Sequence, residues 1–333
     1  MAKPNILDVP QREDIVRFRP GTGPRYVVTV DTEEEFDWSK PFDRTSHGLD
    51  HVPRLIKFQQ FCEGFGICPI YLIDYPVATD PAAAEILRDA IAAGRAEVGV
   101  QLHPWVNPPH EEEVNVHNSF TGNLPTDLQR AKFTKLRDAI ERNFGAPPMI
   151  YRAGRYGVGP ATASILSDGG IAIDTSVRAR FDYSSTGGPN FRNHPLQPYW
   201  IDRQRTLMEL PLTTVFWGLL RQQGRGLYPA LWRVPRLRGL LARLGMLERI
   251  PLTPEGVSIE EALKGIDMAV DDGLKVLVFS FHSPSLRPGY TPYVRNEDEL
   301  DRFYDWWRAV FAYLEQRAVK PSCVRDIMAS VEV

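Results

Sequence analysis

Short apolar runs alternate with stretches of helical spacing along most of this chain, and that rhythm restricts its fold more than any other feature. Residues 26–30, 68–73, 97–102, 148–152, 171–174 and 275–281 read as strands. Between them, 51–65, 126–144, 159–169 and 259–273 have the apolar period of helices. Another helix is capped by Asp80-Pro81 and stopped by Gly94, and 300–314 carries an aromatic face suited to burial. Strand, helix, strand repeated this often implies parallel pairing through right-handed crossovers. The fold is therefore α/β, either a parallel barrel or a doubly wound sheet. Both place function at the carboxyl ends of strands. Residues 1–24 are polar, close with Arg19-Pro20-Gly21-Thr22-Gly23-Pro24, and read as an extension ahead of one domain spanning 25–333.

The strand exits carry the ionisable side chains. The first strand runs into Asp31-Thr32-Glu33-Glu34-Glu35, a crowd of carboxylates that repel unless a cation binds them or most point into water. Later strands end near His103, Arg152, Asp174 and His282, so one face of the sheet collects two acids, two imidazoles, an arginine and a further aspartate. Such a set suits metal-assisted hydrolysis. Zinc, the expected divalent metal, accepts imidazole nitrogen and carboxylate oxygen and keeps a position open for water. Glu33 and His103 are the expected ligands. Asp31, two residues before Glu33 and on the same side of an extended chain, is the expected base. Arg152 is expected to pair with Asp31, His282 to protonate the departing amine and Asp174 to orient that imidazole.

A net charge of -3 gives no global attraction to nucleic acid. No stretch has the length of apolar residues a spanning helix needs, and three cysteines without a CxxC pair suit a reducing compartment, so a soluble, cytoplasmic location is expected. The rhythm breaks at 216–250, where Leu, Trp and Tyr mix with Arg221, Arg225, Arg233, Arg236, Arg238 and Arg243. This reads as a basic helical insert. It could lie on a membrane surface, mediate self-association, or pack as an ordinary helical pair.

Five segments resemble the motifs of the polysaccharide deacetylase family, the NodB-homology domain of carbohydrate esterase family 4. They are Thr29-Val30-Asp31-Thr32-Glu33, the segment 97–105 around His103, Tyr151-Arg152-Ala153-Gly154-Arg155-Tyr156-Gly157, Ile173-Asp174-Thr175-Ser176 and Phe279-Ser280-Phe281-His282-Ser283. The resemblance implies an irregular (β/α)7 barrel and metal-dependent removal of an acyl group, usually acetyl, from an N-acylated sugar. It also implies the roles given above. Three departures stand out: Thr32 separates Asp31 from Glu33, Gln101 and Trp105 occupy the positions of the second motif's histidines, and Arg155 adds a positive charge able to bind a carboxylate or phosphate. Trp105, Arg155, Tyr156 and Asn118 are expected to contact substrate, and His117 could supply a further ligand. The expected function is hydrolysis of an acylated amino sugar or other carbohydrate precursor of surface polysaccharide. The alternatives are a hydrolase of a ureide or imide and a metal-free barrel that binds glycans without turnover.

Overall fold

The computed structural model describes residues 4–37, 40–45, 47–232 and 234–332; Arg233 of the basic stretch and residues 1–3 lie outside them. The strands are β1 (Arg25–Thr32), β2 (Ile70–Ile73), β3 (Glu97–Leu102), β4 (Ile150–Ala153), β5 (Ile173–Asp174), β6 (Tyr199–Trp200), β7 (Met208–Glu209), β8 (Thr214–Trp217), β9 (Glu248–Pro251), β10 (Val276–His282) and β11 (Lys320–Pro321). The helices are α1 (Leu55–Gly64), α2 (Tyr75–Ala78), α3 (Pro81–Ala92), α4 (Thr126–Phe144), α5 (Thr162–Asp168), α6 (Gly224–Trp232), α7 (Pro235–Arg243), α8 (Ile259–Asp271), α9 (Glu297–Gln316) and α10 (Val324–Ser330). One sheet runs β10-β1-β2-β3-β4-β5-β7-β6, parallel except for β6, with β11 alongside β1. It curls into an irregular (β/α) half-barrel, one of the two architectures the strand and helix rhythm allows and the one the family resemblance implies.

Side-chain alternation sorts each strand into two faces. Tyr26, Val28 and Val30 of β1 and Leu277, Phe279 and Phe281 of β10 face outward into a core completed by the helices, where Trp307 of α9 packs on Phe58 of α1. Val27, Ile70, Leu72, Ile150, Val276 and Val278 fill the inside, sealed at the amino-terminal end by Val324 and Ile327 of α10. Farther along the same inner columns the side chains turn ionisable, and the cavity lies there.

The sheet does not close by regular pairing. Between β7 and β10 the chain closes it with single contacts: the amide of Leu212 donates to Val177 O (3.0 Å), that of Val278 to Thr213 Oγ1 (2.9 Å) and that of Ser280 to Leu252 O (3.2 Å). The basic insert begins here. Its helices α6 and α7 sit at the tip of an antiparallel ribbon formed by β8 and β9, so Phe216 and Trp217 are strand residues. Residues 4–24 are packed on the barrel through buried Ile6 and through bridges from Ile15 to Tyr199 and Phe18 to Val331. Among the described residues no helix is long and apolar enough to cross a membrane.

Gly99 of β3 lies two residues before Gln101 on the inner face, where a Cβ would come within 2.5 Å of Ile150 Cγ2 and 2.6 Å of Leu72 Cδ2. Gly99→Ala is expected to cost about 1–3 kcal/mol through overpacking, measured by denaturant unfolding. An unchanged midpoint would show that this interior is not close-packed.

Candidate active site

The inner columns of β1, β3, β4 and β10 carry Asp31, Gln101, Arg152 and His282 to a cavity of about 400 Å3, which Glu33 and His103 also line. Register places Asp31 beside His282 and Gln101 beside Arg152. Arg152 is 1% exposed. Its guanidinium ion-pairs with Asp31 and donates to Thr29 Oγ1 (3.0 Å) and Thr175 O (3.1 Å), so the charge is anchored on three strands or their exits. The other Asp31 oxygen lies 3.8 Å from His282 Nε2, whose ring is held at Nδ1 by Glu255 at 2.6 Å. Burial opposes a charged imidazole, but the carboxylates of Glu255, Glu33 and Asp31 outweigh it and lift the pKa of His282 to about 10. At neutral pH His282 is therefore an imidazolium whose Nε2 faces Asp31.

A second cluster forms the acidic side of the cavity. Burial, reinforced by the nearby carboxylates of Glu34 and Asp31 and opposed by the imidazoles of His282 and His103, pushes Glu33 up to about 8. Glu33 Oε2 stands 3.4 Å from His103 Nε2, and the Gln101 amide nitrogen touches both, at 2.8 Å and 3.2 Å. The opposite nitrogen of His103, Nδ1, is bonded to Glu34 at 2.8 Å, which turns Nε2 toward Glu33.

This set fits a divalent cation. Two buried acceptors, Glu33 Oε1 and Gln101 Oε1, have no hydrogen-bond partner. The separation of His103 Nε2 and Glu33 Oε2 is that of two ligands bound at about 2 Å to one tetrahedral ion. A half-turn of the Gln101 amide, whose two ends are nearly isosteric, presents oxygen instead of nitrogen. Among the described residues one group of three ligating side chains also gathers, Glu34, Asp74 and His103, with ligand atoms within 4.8 Å of one another. Those groups are already bonded: Trp105 Nε1 donates to Glu34 (2.8 Å), the Glu34 amide to Asp74 (2.6 Å) and the Val77 amide to Asp74 (2.9 Å). They orient His103 from below. Burial pushes Glu34 up to about 7 and Asp74 well above the usual carboxylate range.

Two further braces fix the loops. His51 bridges Glu35 (2.8 Å) and Ser283 Oγ (2.7 Å), and that hydroxyl accepts from the Glu33 amide (3.2 Å), tying the acidic loop to the exit of β10. The fully buried ammonium of Lys132 on α4 donates to the carbonyls of Pro104, Asn107 and Pro109 and pairs with Glu112, which fixes the segment carrying Trp105.

Of the residues singled out from sequence, Asp31, Glu33, His103, Trp105, Arg152, Arg155, Tyr156 and His282 line one cavity. Trp105 stacks on His103 with ring centroids 4.5 Å apart. Arg155 and Tyr156 have φ of 54° and 62°, a conformation uncommon for side-chain-bearing residues, and the Arg155 guanidinium lies 4.1 Å from the Phe120 ring centroid. Asp174 departs from expectation. Ile173 fills the interior, so alternation turns the Asp174 carboxyl to the other face, where it bonds Ser176 Oγ and neighbours buried Glu209. Glu255, not Asp174, orients His282. Asn118 and His117 also lie off the cavity, Asn118 donating to Glu113 O and His117 standing exposed beside Asn123. Glu34, Asp74 and Glu255 were missed. Asp74 directly follows the apolar run of β2, a strand-exit signal that could have found it, whereas Glu255 follows an irregular segment with no such mark.

No family model and no curated protein sequence matches this chain. Solved structures do resemble it. A candidate polysaccharide deacetylase from Mycobacterium smegmatis aligns at TM-score 0.51 and 15% identity, covering 93% of this chain and 96% of that one. A 4-alpha-glucanotransferase from Thermococcus litoralis aligns at TM-score 0.54 and 13% identity, over 93% of this chain and 41% of that one. A carbohydrate esterase family 4 pseudoenzyme from Bacillus anthracis aligns at 0.43 and 8%, over 93% and 66%. The first two likenesses define the class of fold, a polysaccharide-deacetylase-like α/β barrel. Since proteins of different activity share it, function must be argued from the site.

The lifted pKa of His282 has a signed consequence for stability. The stabilisation is complete below about 6.5, the unfolded value, and is lost as pH rises toward about 10. The difference in Tm between the wild type and His282→Gln is expected to be largest below pH 6.5 and to shrink up to pH 10. A difference independent of pH would contradict the assigned charge.

Proposed function

We propose that this chain is a hydrolase that removes an acyl group, acetyl in the simplest case, from a carbohydrate. The observation that carries the reading is the facing pair at the cavity floor, Asp31 held by Arg152 and His282 held by Glu255, 3.8 Å apart. One member accepts a proton and the other has one to give. Glu33, His103 and Gln101 would hold the divalent metal, zinc by donor type. When bound it would polarise the acyl oxygen and acidify water.

The protein's own groups divide the remaining work. Asp31 takes a proton from the attacking water, and Arg152 keeps that carboxylate aimed into the cavity. His282 delivers its Nε2 proton to the leaving nitrogen or oxygen as the bond to the acyl carbon breaks, while Glu255 balances the imidazolium before transfer. Trp105, Phe36, Tyr156 and Tyr183 give the cavity flat apolar walls suited to a sugar ring, and Arg155 stands where it can meet an anionic substituent.

Acetate release from a panel of N- and O-acetylated oligosaccharides tests the reading. Asp31→Asn is expected to lower the rate on any accepted substrate by about 10²–10⁴-fold with the fold intact. Glu255→Gln is expected to move the alkaline limb of the pH–rate profile to lower pH, since it removes the carboxylate that contributes most to raising His282. An unshifted limb would remove His282 from the acid role.

One contact favours a second reading, a metal-free barrel that binds glycans without turnover. The Gln101 amide nitrogen already donates to Glu33 Oε2 and touches His103 Nε2, between the two expected ligands. Elemental analysis separates the two readings. The hydrolase reading expects one equivalent of transition metal, lost in Glu33→Gln; a protein without metal that retains oligosaccharide binding supports the other.

A further inference from the structure

The insert carries a surface that the cavity chemistry does not explain. From 210 to 247 the sequence contains six arginines and no aspartate or glutamate, in a chain whose net charge is -3. Leu219, Leu227, Val234, Leu237, Leu240 and Leu244 account for six of the thirteen exposed large apolar side chains among the described residues, with Leu219 80% and Leu244 63% exposed. Arg225, Arg236 and Arg243 are exposed among them. A small separate cluster, Phe216, Tyr228 and Leu247, holds the tip of the ribbon together without using these leucines.

We propose that the tip formed by α6, α7 and their flanking turns docks on an anionic lipid surface. Leucines on short helices enter the boundary between headgroups and acyl chains, while arginines on flexible stems reach the phosphates, so apolar burial and charge attraction add. Charge complementarity selects this occupant over a second copy of the chain. A two-fold contact through the same patch would bring arginines onto arginines with no carboxylate from this segment between them. The ribbon's base, including Thr214, Pro251 and Leu252, lines the cavity, so the docked tip and the substrate cavity belong to one structural unit. The surface stands on its own observations and does not depend on the hydrolase reading.

Co-sedimentation of the full-length protein with vesicles tests the proposal. The protein is expected to pellet with vesicles of equal parts phosphatidylglycerol and phosphatidylcholine, to remain in solution with phosphatidylcholine alone, and to be released by raised salt. Substituting Arg225, Arg236 and Arg243 together by Gln is expected to weaken partitioning by about a hundredfold. Leu240→Ser with Leu244→Ser is expected to abolish it, with circular dichroism confirming the fold of both variants. Equal recovery on the two kinds of vesicle, or recovery on neither, overturns the proposal. So does a lipid-free dimer, seen by light scattering, that the two serine substitutions dissociate, because that result assigns the surface to self-association.

Discussion

A single buried guanidinium holds the acidic mouth of this barrel together. Arg152 lies on β4 with its side chain directed across the interior to β1, where it meets Asp31 and Thr29, and it also donates to the carbonyl of Thr175 beyond β5. A carboxylate 2% exposed has lost most of its hydration, and a nearby fixed cation is what makes its burial tolerable. The same contacts tie strands that are only short or irregular at this end, since β4 and β5 pair over two residue positions.

The remaining acids are accommodated in different ways. Glu34 and Asp74 are pushed upward by burial and act through hydrogen bonds that set the ring of His103. Asp174 and Glu209, opposite each other on β5 and β7, form a buried pair on the outer face; burial raises both, and the Arg152 guanidinium opposes the rise. Glu255 has an imidazolium partner in His282. Asp31, Glu33, His103, Glu255 and His282 combine such support with a place on the cavity wall, and the proposed chemistry rests on them.

Much of this was legible in the sequence because two simple periods governed it. Helix α4 occupies the residues its apolar spacing indicates, and the apolar run before Asp31 is an eight-residue strand whose inner column delivers that carboxylate to the cavity. The same period of two explains why Gln101 and His103 point together, whereas Trp105 lies in the turn beyond β3. What failed was the extension of a motif past its strand. Asp174 follows an inward Ile173 on a two-residue strand, and the pleat turns it away from His282. Glu255 took over from an irregular segment near the closure, and neither that closure nor the ribbon under α6 and α7 has a local signature, because both are set by contacts between residues far apart in sequence.

The dependence of the site on Arg152 is tested most directly by a double-mutant cycle on unfolding free energy, using Arg152→Met, Asp31→Asn and the two combined. Removing the arginine alone strands a buried carboxylate and is expected to cost about 3–5 kcal/mol. The combined variant is expected to cost clearly less than the sum of the two single losses. Additive losses would contradict the account, because they would mean that Asp31 and Arg152 are buried side by side without depending on each other.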